Sequence, residues 1–173
     1  MTKPAIRQTG VRAMAHTDLE RVLAWRNHPA VRRFMLTQHE ITFDEHLRWF
    51  EQAYQDPRKH LLIFEGDKQP LGFVSFSELA VGAIAEWGFY MAPDAPKGCG
   101  RLLGHSALEH AFSNISLHKV CGQALAYNGK SIQFHQALGF RQEGVMRDQY
   151  FDGIHYHHMI CFGLLGCEWQ PTP

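Results

Sequence analysis

No stretch of this 173-residue chain stays apolar for the roughly 20 residues that a membrane-spanning helix needs. The N-terminal residues carry none of the basic, apolar and small-residue regions of a signal peptide, so a cytoplasmic location is expected. An excess of charge is missing too. Seventeen Lys and Arg balance seventeen Asp and Glu, and no overall field draws nucleic acid or an anionic membrane. An anionic ligand must be held by a built site. Cysteine is scarce: Cys99, Cys121, Cys161 and Cys167 form no CxxC pair, which excludes a zinc knuckle or a dithiol redox motif and fits reduced thiols. Internal repeats, linkers and low-complexity segments are likewise lacking. With 45% hydrophobic and 20% charged residues, the chain is expected to fold as one domain over 1–173, apart from its ends.

What is present is an alternation of strand and helix signals. Ile6 to Met14 fits a first strand. Thr17 with Glu20 has the spacing of a capping box and predicts a helix that ends near "WRNHP", where Pro29 stops it. A second box, Thr42 with Glu45, opens "TFDEHLRWFEQAY", with Phe43, Leu47, Phe50 and Tyr54 at helical spacing. "HLLIFEG" and "QPLGFVSFSEL" predict two strands joined at Gly66-Asp67, and "AIAEWGFYMA" a third, ended by Pro93. Leu102, Leu103, Ala107, Leu108, Ala111, Phe112 and Ile115 keep a helical period over about four turns. "HKVCGQALA" is a strand, Asn128 caps a helix running to Leu138, Gly139 provides a left-handed stop, and strands from Phe140 and Ile154 follow. The order is β-α-α-β-β-β-α-β-α-β-β, an α/β (α+β) class with a mixed, mostly antiparallel twisted sheet flanked by helices.

"APKGCGRLLG", Ala95 to Gly104, lies between a strand and the longest helix. A helix N-terminus offers unpaired N–H donors and partial positive charge, and glycines let an anion approach. Lys97 and Arg101 add charge. A glycine turn with exposed basic side chains fits the same string. It is not a dinucleotide fingerprint, because the preceding strand sits in a meander. "NGKS", Asn128 to Ser131, is not a P-loop either: Ala124 stands where that loop requires glycine.

The succession of a strand, a glycine-rich helix start, a second strand and an Asn-capped helix ending in "LGF" resembles the GNAT acetyltransferase family over nearly the whole chain. In that family a Q/R-x-x-G-x-G/A loop binds the pyrophosphate of acetyl-CoA. "APKGCG" matches its glycines, with Ala95 where Gln or Arg is usual, and "N-x-x-S-x-x-F-x-x-x-L-G-F" from Asn128 to Phe140 is similar to the second motif. The resemblance implies acetyl-CoA as acetyl donor, no metal, and a CoA site built from Met91, Ala92, Lys97, Gly98, Cys99, Gly100, Arg101, Leu102, Asn128, Ser131 and His135. It implies direct attack of an amine on the thioester, whose oxygen is held by backbone N–H groups around Tyr90 to Ala92. Many members use a tyrosine of the second-motif helix to protonate the departing thiolate, and here that position is His135. Imidazole can donate a proton as phenol can, though a helix-surface histidine is the alternative. Strand alternation puts Glu86, Gly88 and Tyr90 on one face, with Glu86 the candidate base, or merely an exposed polar residue, and Tyr90 fixing the acceptor.

"WRNHPAVRRFM" followed by "ITFDEHLRWF" resembles a branch of the family that acetylates the 4-amino group of UDP-4-amino-4,6-dideoxy-N-acetyl-beta-L-altrosamine in pseudaminic acid biosynthesis. Acceptors of this kind imply a site around Arg26, Asn27, His46, Trp49 and Tyr90. His46, three residues before Trp49, presents a polar tip beside a flat aromatic surface. Arg26 and Arg32 suit a nucleotide diphosphate or are solvated charges at a helix end. Trp25 and Phe50 fit core packing. The expected partners are acetyl-CoA and a nucleotide-linked aminosugar, with a homodimer left open. Related branches keep two alternatives in view, an acetyltransferase of protein N-termini and an inactive acyl-CoA-binding protein. "HYHH", His155 to His158, puts two imidazoles on one strand face without a recognised third ligand, and strand filling accounts for it.

Overall fold

The computed structural model describes residues 6–79 and 82–171. Seven strands form one sheet: β1 (Thr9–Ala13), β2 (Lys59–Gly66), β3 (Gln69–Glu78), β4 (Ile84–Met91), β5 (Lys119–Leu125), β6 (Arg141–Phe151) and β7 (Tyr156–Leu165). Their order is β1-β2-β3-β4-β5-β7-β6. The β4–β5 pair is parallel and every other neighbouring pair is antiparallel. The helices are α1 (Leu19–Asn27), α2 (Pro29–Arg32), α3 (Phe43–Gln55), α4 (Cys99–Glu109) and α5 (Gly129–Ala137). Class and sheet type match the expectation, and the element order does so except for the added short helix α2 after Pro29.

Strand alternation builds two cores, because successive side chains leave a strand on opposite faces. Val74 and Phe76 of β3 and Trp87 of β4 join Leu103, Ala107 and Leu108 of α4 on one face. Phe73 of β3 and Ile63 of β2 join Val22 and Trp25 of α1 and Phe50 of α3 on the other. Phe50 and Val22 are fully buried, and burial of each such side chain contributes about 2 kcal/mol. Phe50 is a core residue, as its helical spacing suggested, and Trp25 is buried beside it.

Local signals held where the partners are near in sequence. The Thr42 box forms, with Glu45 accepting from Thr42 N–H at 2.7 Å and Thr42 Oγ accepting from Glu45 N–H at 3.3 Å. The Thr17–Glu20 box does not form. Asp18 takes the N-cap of α1, and its buried carboxylate accepts from Ala15 N–H at 2.9 Å and from both terminal nitrogens of Arg12 at 2.7 and 2.9 Å. The Arg12 ion pair, six residues away, takes Asp18 to the cap and holds its carboxyl below the usual carboxylate range. Pro29 ends α1 and opens α2 at its first position, where a missing N–H costs nothing. The long helix closes on a π-helical turn over His110–Asn114. The first strand is shorter than expected, and the β2–β3 turn falls on Asp67 and Lys68, both left-handed at φ 49° and 64°.

Candidate functional site

The strands part at the centre of the sheet. β4 pairs with β5 only through Ile84, Ala85 and Glu86, opposite Lys119, Val120 and Cys121. Beyond Glu86 the two diverge while β3 stays paired with β4 as far as Met91. The ladder decides which N–H groups face the opening. Ala92 N–H donates to the Leu71 carbonyl at 2.8 Å, so Tyr90, two residues back, also points its N–H to β3. The N–H groups of Phe89 and Met91 point the other way, towards the gap left by β5. Of the expected donors around Tyr90 to Ala92, Met91 is retained, Ala92 is corrected because its N–H is occupied and its side chain buried, and Phe89 is added.

Glu86, Gly88 and Tyr90 share the face turned towards α1 and α3, as alternation required. Glu86 is exposed at the last paired position, and a side chain at Gly88 would meet only Ser75 Oγ, at 3.3 Å, which leaves a slot in the strand face. Burial pushes the Tyr90 hydroxyl well above its ordinary pKa and keeps it protonated.

The glycine loop enters α4 through Gly98, the N-cap, in the left-handed region at φ 91°. No side chain caps this end, and nothing lies within 4 Å of where a Gly98 Cβ would be. Lys97, Arg101 and Leu102 are exposed around it. Helix starts of this kind leave N–H donors directed outward. Gly100 and Arg101 hold those positions. Cys99 departs from the expectation, because its thiol is packed in the core and its N–H bonds the Pro96 carbonyl at 3.3 Å. Gly104 belongs to packing: a Cβ there would sit 2.5 Å from Leu138 and 3.0 Å from Phe134, so glycine lets α4 approach α5.

His135 requires the largest correction. It lies on α5 but is 1% exposed, and its ring stacks on Phe162 at 4.7 Å. Nδ1–H donates to the Ser131 carbonyl at 2.7 Å, and Nε2 accepts the Trp87 indole N–H at 3.1 Å. Both nitrogens are occupied, burial lowers the pKa, and the proton on Nδ1 serves the backbone. A side chain so placed does not protonate a thiolate in the cleft. Asn128 and Ser131 also have structural work, since Asn128 Oδ1 accepts from Ser131 N–H at 3.2 Å and caps α5.

On the opposite face a cavity of about 370 Å³ opens between α1, α3 and the 33–42 segment. Arg26, His46, Trp49 and Tyr90 line it together with Phe73, Thr37, His39, Ile41 and Glu45. His46 stacks on Trp49 with centroids 5.1 Å apart, and Phe73 lies 5.1 Å from Tyr90. Arg26 Nη2 donates to the Thr37 carbonyl at 2.8 Å, while its Nη1 is buried with no hydrogen-bond partner among the described residues. Arg32 stands aside, 3.7 Å from Glu40. Asn27 is corrected from substrate contact to support: its side chain accepts from Ile41 N–H at 2.9 Å and donates to Ile41 O at 2.8 Å, fastening the segment that closes the cavity. Thr37, His39, Ile41 and Glu45 escaped sequence reasoning, since only the fold brings them to Arg26. In the "HYHH" run His157 donates to Asp152 at 2.6 Å, and the His155 and His157 rings are 6.5 Å apart.

A strand pair that parts beside an uncapped glycine helix start is the arrangement a thioester donor needs, and the acetyltransferase (GNAT) domain family matches residues 9–141. The chain belongs to the GNAT family. It is an acetyl-CoA-dependent N-acetyltransferase, and GNAT enzymes with established names resemble it over most of their length. Acetyltransferase PseH of Campylobacter jejuni (strain 81-176) is 32% identical over 156 residues, covering 90% of this chain and 92% of that protein. Spermidine N(1)-acetyltransferase of Vibrio cholerae is 24% identical over 147 residues, covering 83% and 85%. The crystal structure of the Vibrio cholerae spermidine N-acetyltransferase with CoA and spermine superposes with a TM-score of 0.86 at 23% identity, covering 93% and 97%. That likeness shows the GNAT fold. Among the described residues, no helix is long and apolar enough to cross a membrane.

Proposed function

We propose that this GNAT enzyme acetylates the amino group of a nucleotide-linked aminosugar, and that its acceptor is the 4-amino group of UDP-4-amino-4,6-dideoxy-N-acetyl-beta-L-altrosamine in pseudaminic acid biosynthesis. The similarity to acetyltransferase PseH over 90% of the chain supports the acceptor class. The observation that carries the reading is the charge of the cavity beside Tyr90. Among the residues lining its wall are the Arg26 guanidinium and one carboxylate, Glu45, whose Oε2 already accepts from Thr42 N–H and Oγ–H and whose Oε1 lies 3.4 Å from His39 Nε2. A polyamine such as spermidine needs carboxylates and is repelled by Arg26. A sugar ring suits the aromatic faces of Trp49, Phe73 and Tyr90.

In the mechanism, Lys97, Gly98, Gly100, Arg101 and Leu102 receive the CoA pyrophosphate at the start of α4, where backbone N–H groups and the helix dipole favour it. Phe89 and Met91 N–H groups stabilise the oxygen of the tetrahedral intermediate. The neutral amine forms its bond to the carbonyl carbon, the C–S bond breaks, and the surplus amine proton passes through water to Glu86. The departing thiolate takes its proton from water, since His135 is engaged elsewhere. Tyr90, protonated at neutral pH, positions the acceptor.

Incubation with acetyl-CoA and the UDP-4-amino sugar is expected to release CoA and add one acetyl group, read by mass spectrometry. Turnover of a peptide N-terminus or spermidine with none on any UDP- or dTDP-aminosugar would overturn the proposal.

A further inference from the structure

Two buried side-chain nitrogens are without a hydrogen-bond partner among the described residues, Arg26 Nη1 and His46 Nε2, and both residues line the same cavity. Each such group costs about 1–3 kcal/mol unless a ligand satisfies it. Their chemistry is opposite. A guanidinium only donates, and Arg26 is oriented by the Thr37 carbonyl on its other terminal nitrogen. His46 is 3% exposed, stacks on Trp49 and makes one hydrogen bond to the Leu19 backbone. With an N–H given to that carbonyl, the remaining nitrogen presents a lone pair. Burial and the charge of Arg26 hold the ring neutral.

We infer that Arg26 and His46 together read a ring hydroxyl of the acceptor, so that the sugar and not the diphosphate occupies the cavity. The inference rests on the aminosugar reading above. A hydroxyl is the small group that can both accept from a guanidinium and donate to an imidazole lone pair. A phosphate has only acceptors at neutral pH. It would set an oxygen against the imidazole lone pair and bring its charge to Glu45 in the same wall. An ammonium has only donors and meets Arg26. The cavity also lies against Tyr90, on the strand that leads into the parted region, which is where the reacting end of the acceptor must be. Arg26, read from the sequence as suited to a diphosphate, is thereby reassigned to the sugar, and the nucleotide extends outward.

The test compares kcat/KM for the UDP-4-amino sugar and for its analogue lacking the hydroxyl next to the amine, with UDP as a competing inhibitor. The wild-type enzyme is expected to lose about 100-fold on the deoxy analogue. His46→Phe is expected to lose a similar factor on the parent sugar and nothing more on the analogue, while His46→Gln, whose amide oxygen can accept, recovers part of it. UDP inhibition is expected to stay within about twofold in Arg26→Ala. The wild-type comparison of two substrates needs no variant, so misfolding cannot mimic it. Equal turnover of the two sugars overturns the inference and leaves the aminosugar reading standing. So does UDP inhibition that collapses in Arg26→Ala, or that strengthens at low pH only when His46 is present. Failure to turn over any nucleotide aminosugar overturns the reading itself, and this assignment with it.

Discussion

The two faces of the sheet each bury an imidazole, and the two sites differ in what their nitrogens touch. His135, on the α5 face, and His46, on the α3 face, are 1% and 3% exposed, and burial lowers the pKa of both. His135 has the Ser131 carbonyl on one nitrogen and the Trp87 indole on the other. His46 lines a cavity, and its Nε2 has no hydrogen-bond partner among the described residues. Burial and a perturbed pKa are therefore shared by a histidine that holds the core and one that lines a cavity. The unfilled hydrogen-bonding position separates them.

The comparison breaks hardest at Gly122, where β5 passes under His135. A Cβ there would lie 2.7 Å from His135 Cδ2 and 2.8 Å from Trp87 Nε1. Gly122→Ala is expected to cost about 3 kcal/mol in a denaturant titration, whereas Gly88→Ala on the open face changes stability by less than about 1 kcal/mol. His135→Phe strands the Trp87 N–H and is expected to lose about 2 kcal/mol of stability while kcat/KM falls less than threefold in roughly matched conditions. A collapse of kcat at unchanged stability would restore His135 as the acid. The pH dependence follows from the same two rings. A histidine whose folded pKa is depressed adds stability that is complete above the unfolded value of about 6.5 and is lost as pH falls below it. Stability is expected to fall as pH drops from 7 to 5, with a shallower slope in His135→Phe. The smallest effect belongs to the cavity's support: Asn27→Ala removes both bonds to Ile41 and is expected to raise the acceptor KM about fivefold, leaving the acetyl-CoA KM unchanged.

The same contrast explains what the sequence disclosed. The Thr42–Glu45 box, the Asn128 cap and the left-handed Gly139, at φ 90°, depend on partners within a few residues, and all were legible. His46, Trp49 and Tyr90 were legible as residue types suited to an acceptor ring and Arg26 as one suited to a diphosphate, and the structure gathers the four in one cavity. Most of what failed depended on distant partners, although Thr17 lost the cap of α1 to Asp18, which Arg12 of β1 binds from only six residues away. His135 is the ring position at which the GNAT motif suggests an acid, yet Trp87, 48 residues earlier, takes its second nitrogen. Asn27 looked like a contact for substrate, and Ile41, 14 residues later, takes both ends of its amide. Spacing along a chain reports a helix cap well and cannot report which side chain arrives from another strand.

The central claim is that an aromatic cavity with the Arg26 guanidinium in its wall, beside the parted strands, selects a nucleotide-linked aminosugar over a polyamine. A competition assay tests it most directly, with the UDP-4-amino sugar and spermidine at equal concentration, limiting acetyl-CoA, and both acetylated products quantified by mass spectrometry. The account predicts that the sugar product exceeds acetylspermidine by about 100-fold or more. An excess of acetylspermidine would contradict it.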